Sequence, residues 1–151
     1  GIGALCWLPS ISRWAAVVAG LLAPGGRLFL REGHPVLWAL AQPDGSRRVA
    51  LEHPYFERSK PTLWDEPGSY VATDHVFVHT KSVEWNHGLG EIVSALLANG
   101  LRIAMLEEHD SVPWDALPGM MQRADNGEYQ LMDRPWRMPH TYTLQAVAPD
   151  A

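Results

Sequence analysis

The chain has 151 residues, 46% of them hydrophobic and 19% charged, with a net charge of −5 and a single cysteine. That length suits one domain able to bury roughly 70% of its unfolded surface. No stretch approaches the ~20 apolar residues of a membrane-spanning helix, no basic stripe is present to neutralise nucleic-acid phosphates, and one cysteine excludes an internal disulfide framework.

Seven tryptophans and twelve prolines imply large aromatic-walled loops beside a regular core. The opening Gly1-Ile2-Gly3, directly before an apolar run and without a methionine, reads as a chain cut within a domain. Leu8-Pro9-Ser10 then reads as a helix start with Ser10 as N-cap. Ile11, Trp14, Ala15, Val18, Leu21 and Leu22 recur at helical spacing and give one apolar stripe. Pro24-Gly25-Gly26 stops that helix, because proline cannot continue it and glycine accepts left-handed backbone. A short apolar strand follows over Arg27 to Glu32 and runs into a polar tip, Glu32-Gly33-His34-Pro35.

Residues 33–87 carry five prolines and read as irregular, with short strands near 47–51 and 76–84. Gly88 to Asn99 is a second helix, with Leu89, Ile92, Val93, Leu96 and Leu97 on one side. Asn99-Gly100 closes it, and Leu101 to Glu107 is a second strand that also ends in a polar tip, Glu107-Glu108-His109-Asp110. Residues 110–139 are again rich in proline, with an Asn126-Gly127 turn. Thr141 to Val147 alternates as a last strand. The two strands that follow helices are expected to pair in parallel through right-handed crossovers. The last strand, with no helix before it, is expected antiparallel, against the second strand or beside it. The fold class is therefore α/β with a partial Rossmann-like sheet. Both long loops start where a parallel strand ends, so they cap the carboxyl edge of the sheet, where open α/β sheets bind ligands.

Several chemistries can be weighed against this layout. His75 and His79 have H-x3-H spacing, but on a strand they stand ~13 Å apart, and no metal site is expected. No G-x-S-x-G, G-x-G-x-x-G or Walker loop occurs. Cys6 has no partner nearby in sequence and reads as a small buried residue. His34, at the first strand tip, and His87, just before the second helix, are placed to accept a proton from a hydroxyl or amine nucleophile. The alternative for each is a bond to a loop carbonyl or a helix cap.

The ordered series Trp7-Leu8-Pro9, Trp14, Leu21-Leu22-x-Pro24-Gly25-Gly26-Arg27-Leu28-x-Leu30-x-Glu32-x-His34-Pro35 resembles the second half of class I S-adenosylmethionine-dependent methyltransferases. The small-molecule methyltransferase-domain group is the nearest likeness. Glu84-Trp85-Asn86-His87, the helix through Leu96-Leu97, Asn99-Gly100-Leu101-Arg102-Ile103 and Glu107-Glu108-His109 are similar to its final helix and sixth strand. Thr141-Tyr142-Thr143-Leu144-Gln145-Ala146 resembles its antiparallel seventh strand. The resemblance implies that residues 1–151 are the carboxyl-terminal part of one methyltransferase domain. The amino-terminal cofactor-binding half, with its Gly-rich loop and ribose-holding acidic residue, is absent from the sequence.

Ile2, Gly3, Ala4 and Trp7 correspond to the stretch that lines the methionine side of S-adenosyl-L-methionine. The implied reaction is in-line attack by a substrate atom on the sulfonium methyl, which asks the protein chiefly for positioning and exclusion of water. Trp38, Trp64, Tyr70, Trp85 and Trp114 are the expected substrate-side residues. Aromatic faces can also attract a sulfonium. The expected partner is a small-molecule substrate, not nucleic acid or membrane, in the cytoplasm; the oligomeric state is open, and the chain alone is expected to be inactive. Two other readings stand beside this one: a non-catalytic α/β half-domain serving as an assembly module, and a metal-dependent hydrolase.

Overall fold

The computed structural model describes residues 1–65 and 76–150. Helices α1 (Ile11–Leu21), α2 (Pro35–Trp38) and α3 (Leu89–Ala98) are interspersed with strands β1 (Arg27–Gly33), β2 (Thr62–Asp65), β3 (Lys81–Glu84), β4 (Arg102–His109), β5 (Met121–Arg123), β6 (Tyr129–Leu131) and β7 (Thr141–Val147). Ser10 caps α1 as its sequence predicts, its Oγ accepting from Arg13 N at 3.4 Å. The apolar stripe is shorter than its spacing suggests. Leu21 is 80% exposed, while Leu22 turns in to the core at the helix end.

The Pro24-Gly25-Gly26 turn is sterically specified. Gly25 has φ 69°, and a Cβ on Gly26 would lie 2.7 Å from the Ala23 carbonyl oxygen. Side-chain-free residues are therefore required at both positions.

The main sheet has the order β1-β7-β4, with β7 antiparallel to both neighbours. This corrects the expectation that the two helix-following strands pair directly. β1 and β4 do run parallel to each other, but β7 is inserted between them. The burial pattern explains the arrangement. Tyr142, Leu144 and Ala146 of β7 are buried among the helices. On its other side Thr143 Oγ1 sits 2.8 Å from His109 Nε2, and Thr141 Oγ1 donates to Ser111 O. A strand satisfied on both faces belongs in the middle, whereas β4, with Glu107 and Glu108 exposed, suits an edge.

The outer side of β1 is also paired. Ile2 bridges Arg31 in parallel, with Arg31 N donating to Gly1 O at 3.0 Å and Gly3 N to Arg31 O at 3.2 Å. Helices α1 and α3 pack together on one face, where Ile11, Ala15, Ile92 and Leu96 meet Leu30, Leu144 and Ala146.

The long connections carry a core of their own. Leu37, Leu40, Val112, Leu117, Met120, Met121 and Leu131 form a second apolar cluster, which joins the loop after β1 to the β5–β6 hairpin around Asn126-Gly127. Glu128 ties that hairpin to β1, its carboxylate accepting from Arg31 and from Ser111 Oγ at 2.8 and 2.7 Å. The strand expected near 47–51 is reduced to one bridge between Leu40 and Leu51. Of 76–84 only Lys81–Glu84 is a strand, paired with β2. His79 is thus outside any strand, and His75 lies outside the described residues. Among the described residues no helix is long and apolar enough to cross a membrane.

Candidate functional site

The carboxyl ends of β1 and β4 meet the start of β7 in one row, Gly33 opposite Thr141 opposite His109. Main-chain bonds extend the row, with His34 N donating to His140 O at 2.8 Å and His140 N to His109 O at 2.7 Å. Everything at the candidate site hangs from this edge.

Glu32, the last side chain of β1 on the helix-covered face, is buried. Its carboxylate accepts from Ala4 N at 2.9 and 3.1 Å and from Leu5 N at 3.4 Å. Burial pushes its pKa up, and these amides oppose that shift. Glu32 therefore fixes the chain around Gly3–Leu5 against β1. Gly33 next to it leaves room for Trp38, whose indole atoms lie 2.6–2.7 Å from where a Cβ would stand. On its other side Trp38 stacks with Trp114, ring centroids 5.8 Å apart and planes at 21°. His34 caps α2, its Nδ1 accepting from Val36 N at 3.1 Å. That bond assigns the proton of the neutral ring to Nε2. Nε2 lies 2.8 Å from Glu108 Oε1 but is poorly aligned for a hydrogen bond. Burial lowers the pKa of His34, and Glu108 works in the other direction.

The Glu84–His87 segment is a staple between distant parts of the chain. Trp85 N donates to Cys6 O at 2.9 Å. Asn86 Nδ2 donates to Pro35 O and Pro54 O at 2.7 and 3.0 Å. The buried His87 ring places Nε2 at 2.8 Å from Leu8 O and 3.2 Å from Leu5 O, and Nδ1 at 3.0 Å from Glu57 Oε2. Both ring nitrogens are engaged, so His87 holds the loops in place as the structure stands. Glu91 supports the same region by accepting from Gly88 N and Glu57 N.

Two adjoining cavities lie between these elements, each about the size of one water molecule. The first is lined by Trp38, His53, Trp64, Glu84, Trp85 and Asn86. The second runs beneath it along Glu32, Gly33, Asn86 and Tyr142, and Cys6 faces both. Burial, with the carboxylates of Glu84 and Glu32, pushes the Cys6 thiol up to about 12, so it stays protonated and unreactive at neutral pH. Tyr142 is 1% exposed, and its hydroxyl has no hydrogen-bond partner among the described residues.

Of the substrate-side residues read from sequence, Trp38, Trp64 and Trp85 converge on the first cavity, Trp114 reaches it through its stack on Trp38, and Tyr70 lies outside the described residues. Of the cofactor-side residues, Ile2 is 77% and Trp7 47% exposed, while the amides of Gly3 and Ala4 are already bonded to Arg31 O and Glu32. These four form an open surface at the sheet edge. Exposed as they are, these four residues do not by themselves enclose a group of S-adenosylmethionine size. His34 and His87 have separate partners, Glu108 and Glu57. Sequence reasoning missed Glu32 and Glu57 as loop holders, Asn86 as a double clip and Tyr142 as a buried polar group. Only the position of Glu32 at a strand tip signalled its role in advance.

No family model matches the sequence, and no curated protein matches it. Solved structures do match. One is the crystal structure of a candidate S-adenosylmethionine-dependent methyltransferase from Listeria monocytogenes, with TM-score 0.61, 15% identity, and coverage of 99% of this chain and 60% of that one. Another is the crystal structure of an S-adenosylmethionine-dependent methyltransferase from Mesorhizobium loti, with TM-score 0.55, 19% identity, and coverage of 97% and 58%. The chain thus spans about 60% of the length of these structures, and its fold resembles the carboxyl-terminal part of the S-adenosylmethionine-dependent methyltransferase fold.

Proposed function

We propose that this chain is the carboxyl-terminal part of an S-adenosylmethionine-dependent methyltransferase domain that acts on a small molecule. The observation that carries the reading is the sheet edge. A parallel stub at Gly1–Gly3, β1, the inserted β7 and β4 align their ends, both long connections start there, and nearly the whole chain superposes on methyltransferase structures.

In this reading the chain's own residues orient and enclose. Trp38, Trp64, Trp85 and Trp114 wall the substrate side, Glu32 and Asn86 fix the loops that carry them, and His87 acts as a positioning residue. With its proton on Nε2, His34 can accept another only at Nδ1, the atom that caps α2 by accepting from Val36 N. Ile2, Gly3, Ala4 and Trp7 contribute one face toward S-adenosyl-L-methionine, with the rest of that site held by residues on the amino-terminal side of Gly1 in a longer protein. No step of methyl transfer is assigned to the described residues.

The test is thermal stability with S-adenosylhomocysteine, the demethylated cofactor. The 151-residue chain shows no shift, and the protein extended on its amino-terminal side gains about 2.7 kcal/mol at a hundredfold excess over Kd. An extended protein that gains nothing overturns the reading. The water-sized cavities favour one competing reading, an assembly module without chemistry, which that same null result would support.

A further inference from the structure

The His34 ring cannot be charged and remain a cap. Its Nδ1 accepts from Val36 N at 3.1 Å at the start of α2, so a second proton at that atom removes the acceptor and sets two donors face to face. More than one bond hangs on the cap. Leu37 N and Trp38 N both donate to His34 O, at 2.8 and 3.4 Å, and a four-residue helix such as α2 holds its shape only with outside support. Its last residue, Trp38, is wedged against Gly33 on one side and stacked on Trp114 on the other. The groups around the ring set when the proton arrives. From β4, Glu108 Oε1 stands 2.8 Å from Nε2 and favours the charged ring. From β7, Tyr142 meets the ring edge-on with centroids 6.1 Å apart, and burial with the Glu32 charge holds its hydroxyl neutral. His140, just before β7, and His34 disfavour charge on each other, while Asp110 and Arg137 act on His140 with opposite signs. The sequence of α2, Pro35-Val36-Leu37-Trp38, carries no charge.

We propose that His34 is a pH-operated latch on α2: a proton at Nδ1 releases the turn, and Trp38 leaves its seat between Gly33 and Trp114 while the rest of the domain stays folded. The capped ring binds the second proton more weakly than the released one, so acid selects the released turn. Burial outweighs Glu108 and lowers the pKa of His34 below the ordinary 6.5, so the latch is closed at neutral pH and opens as pH falls below 6.5. Asn86 Nδ2 donates to Pro35 O at 2.7 Å. That bond does not titrate, so it keeps Pro35 in place and the movement falls on Val36 to Trp38. In the function proposed above, the released Trp38 no longer walls the substrate side. The latch itself does not rest on that reading.

The experiment titrates the 15N-labelled 151-residue chain from about pH 8 to about pH 5. It follows three signals by NMR: the His34 ring nitrogens, the Trp38 indole N–H assigned through Trp38→Phe, and the exchange protection of the Val36 amide corrected for its intrinsic rate. His34 Nδ1 is expected to turn from acceptor to donor in the same step in which the Trp38 signal moves. In that step Val36 protection falls roughly tenfold, the combined effect of a lost side-chain cap and an unpaired donor. Unchanged far-UV circular dichroism shows that the domain is still folded. His34→Asn keeps an acceptor for Val36 N and does not titrate, so its Trp38 signal and Val36 protection should hold across the range. Glu108→Gln, at a half-exposed side chain, removes the carboxylate that favours the charged ring and should move the midpoint to lower pH; it carries the test alone if His34→Asn does not fold. The proposal is overturned if His34 takes up its proton with Trp38 and Val36 unmoved, or if all three signals stay constant over the range. It is equally overturned if Trp38 moves as far in His34→Asn, or if Glu108→Gln leaves the midpoint where it was.

Discussion

Gly33→Ala tests whether the close seating of Trp38 on β1 is real and stabilising. An added Cβ would stand 2.6 Å from the indole, and ordinary contact begins at 3.4 Å, so the ring must retreat by about 0.8 Å. It cannot retreat freely, because Trp114 is stacked on it. Overpacking of this kind costs about 1–3 kcal/mol, and disturbing the ring pair adds about 0.5–1.5 kcal/mol. Alanine regains about 0.5–1 kcal/mol by restricting the unfolded chain. The balance is a loss of about 0.5–4 kcal/mol, centred on about 2 kcal/mol, which is roughly 4–8 °C in Tm for a domain of this size. Gly90→Ala is the control. It lies within α3 with nothing inside 4 Å of its Cβ, and is expected to raise Tm by about 2 °C through helix propensity. Calorimetry gives both values, and near-UV circular dichroism reports the Trp38–Trp114 pair. A Gly33→Ala protein that melts within about 1 °C of the parent, with an unchanged aromatic spectrum, refutes the reasoning.

Tyr142→Phe removes a buried hydroxyl without a partner, so thermal unfolding should show no loss and up to about 1 kcal/mol of gain; a Tm drop of several degrees contradicts this. Asn86→Ala strips the donor from two carbonyls, Pro35 O and Pro54 O, and should lower the urea midpoint by the equivalent of about 2–4 kcal/mol with m unchanged. An unmoved midpoint would show that the staple contributes nothing. Stability should also fall as pH drops. Burial depresses the pKa of both His34 and His140 below the ordinary 6.5, so the unfolded chain takes up protons first and the folded state loses ground as pH falls through and below 6.5. Urea titrations at descending pH measure the slope, and His34→Asn, which keeps an acceptor for Val36 N, should flatten it. A parent protein equally stable on both sides of 6.5 would rule out neutral buried imidazoles.

The elements legible in the sequence are those with enough residues to show a period. α1, β1, α3, β4 and β7 each run seven residues or more, and a cap or glycine turn marks the ends of both helices. β2, β3, β5 and β6 have three or four residues each, too few for alternation to stand out, and α2 is a single turn made by His34 and Pro35. Pairing partners were less legible still. Nothing local to Thr141–Val147 says that it separates β1 from β4; that follows from burial on both faces, which depends on the helices and on Ser111 and His109 far away in sequence. The candidate site divides in the same way. The tryptophans could be gathered from composition and topology, and a loop-carbonyl bond was open to His87, but its partners could not be named because Leu5 O, Leu8 O and Glu57 are 30 to 82 positions away.

The insertion of β7 between β1 and β4 also governs how the protein is made. On the ribosome β1 emerges more than a hundred residues ahead of the strand that pairs with its inner edge. Until Thr141–Val147 follows, β1 and β4 each expose an unpaired edge, with Leu28, Leu30 and Ile103 among the core residues left uncovered. The ordering step therefore closes the largest loop in the molecule, which makes it slow and leaves a nascent chain in need of protection from other unpaired strands. A stop codon before Thr141 would remove the middle of the sheet, and a short deletion there should be far more damaging than one of equal length in the loop after α2.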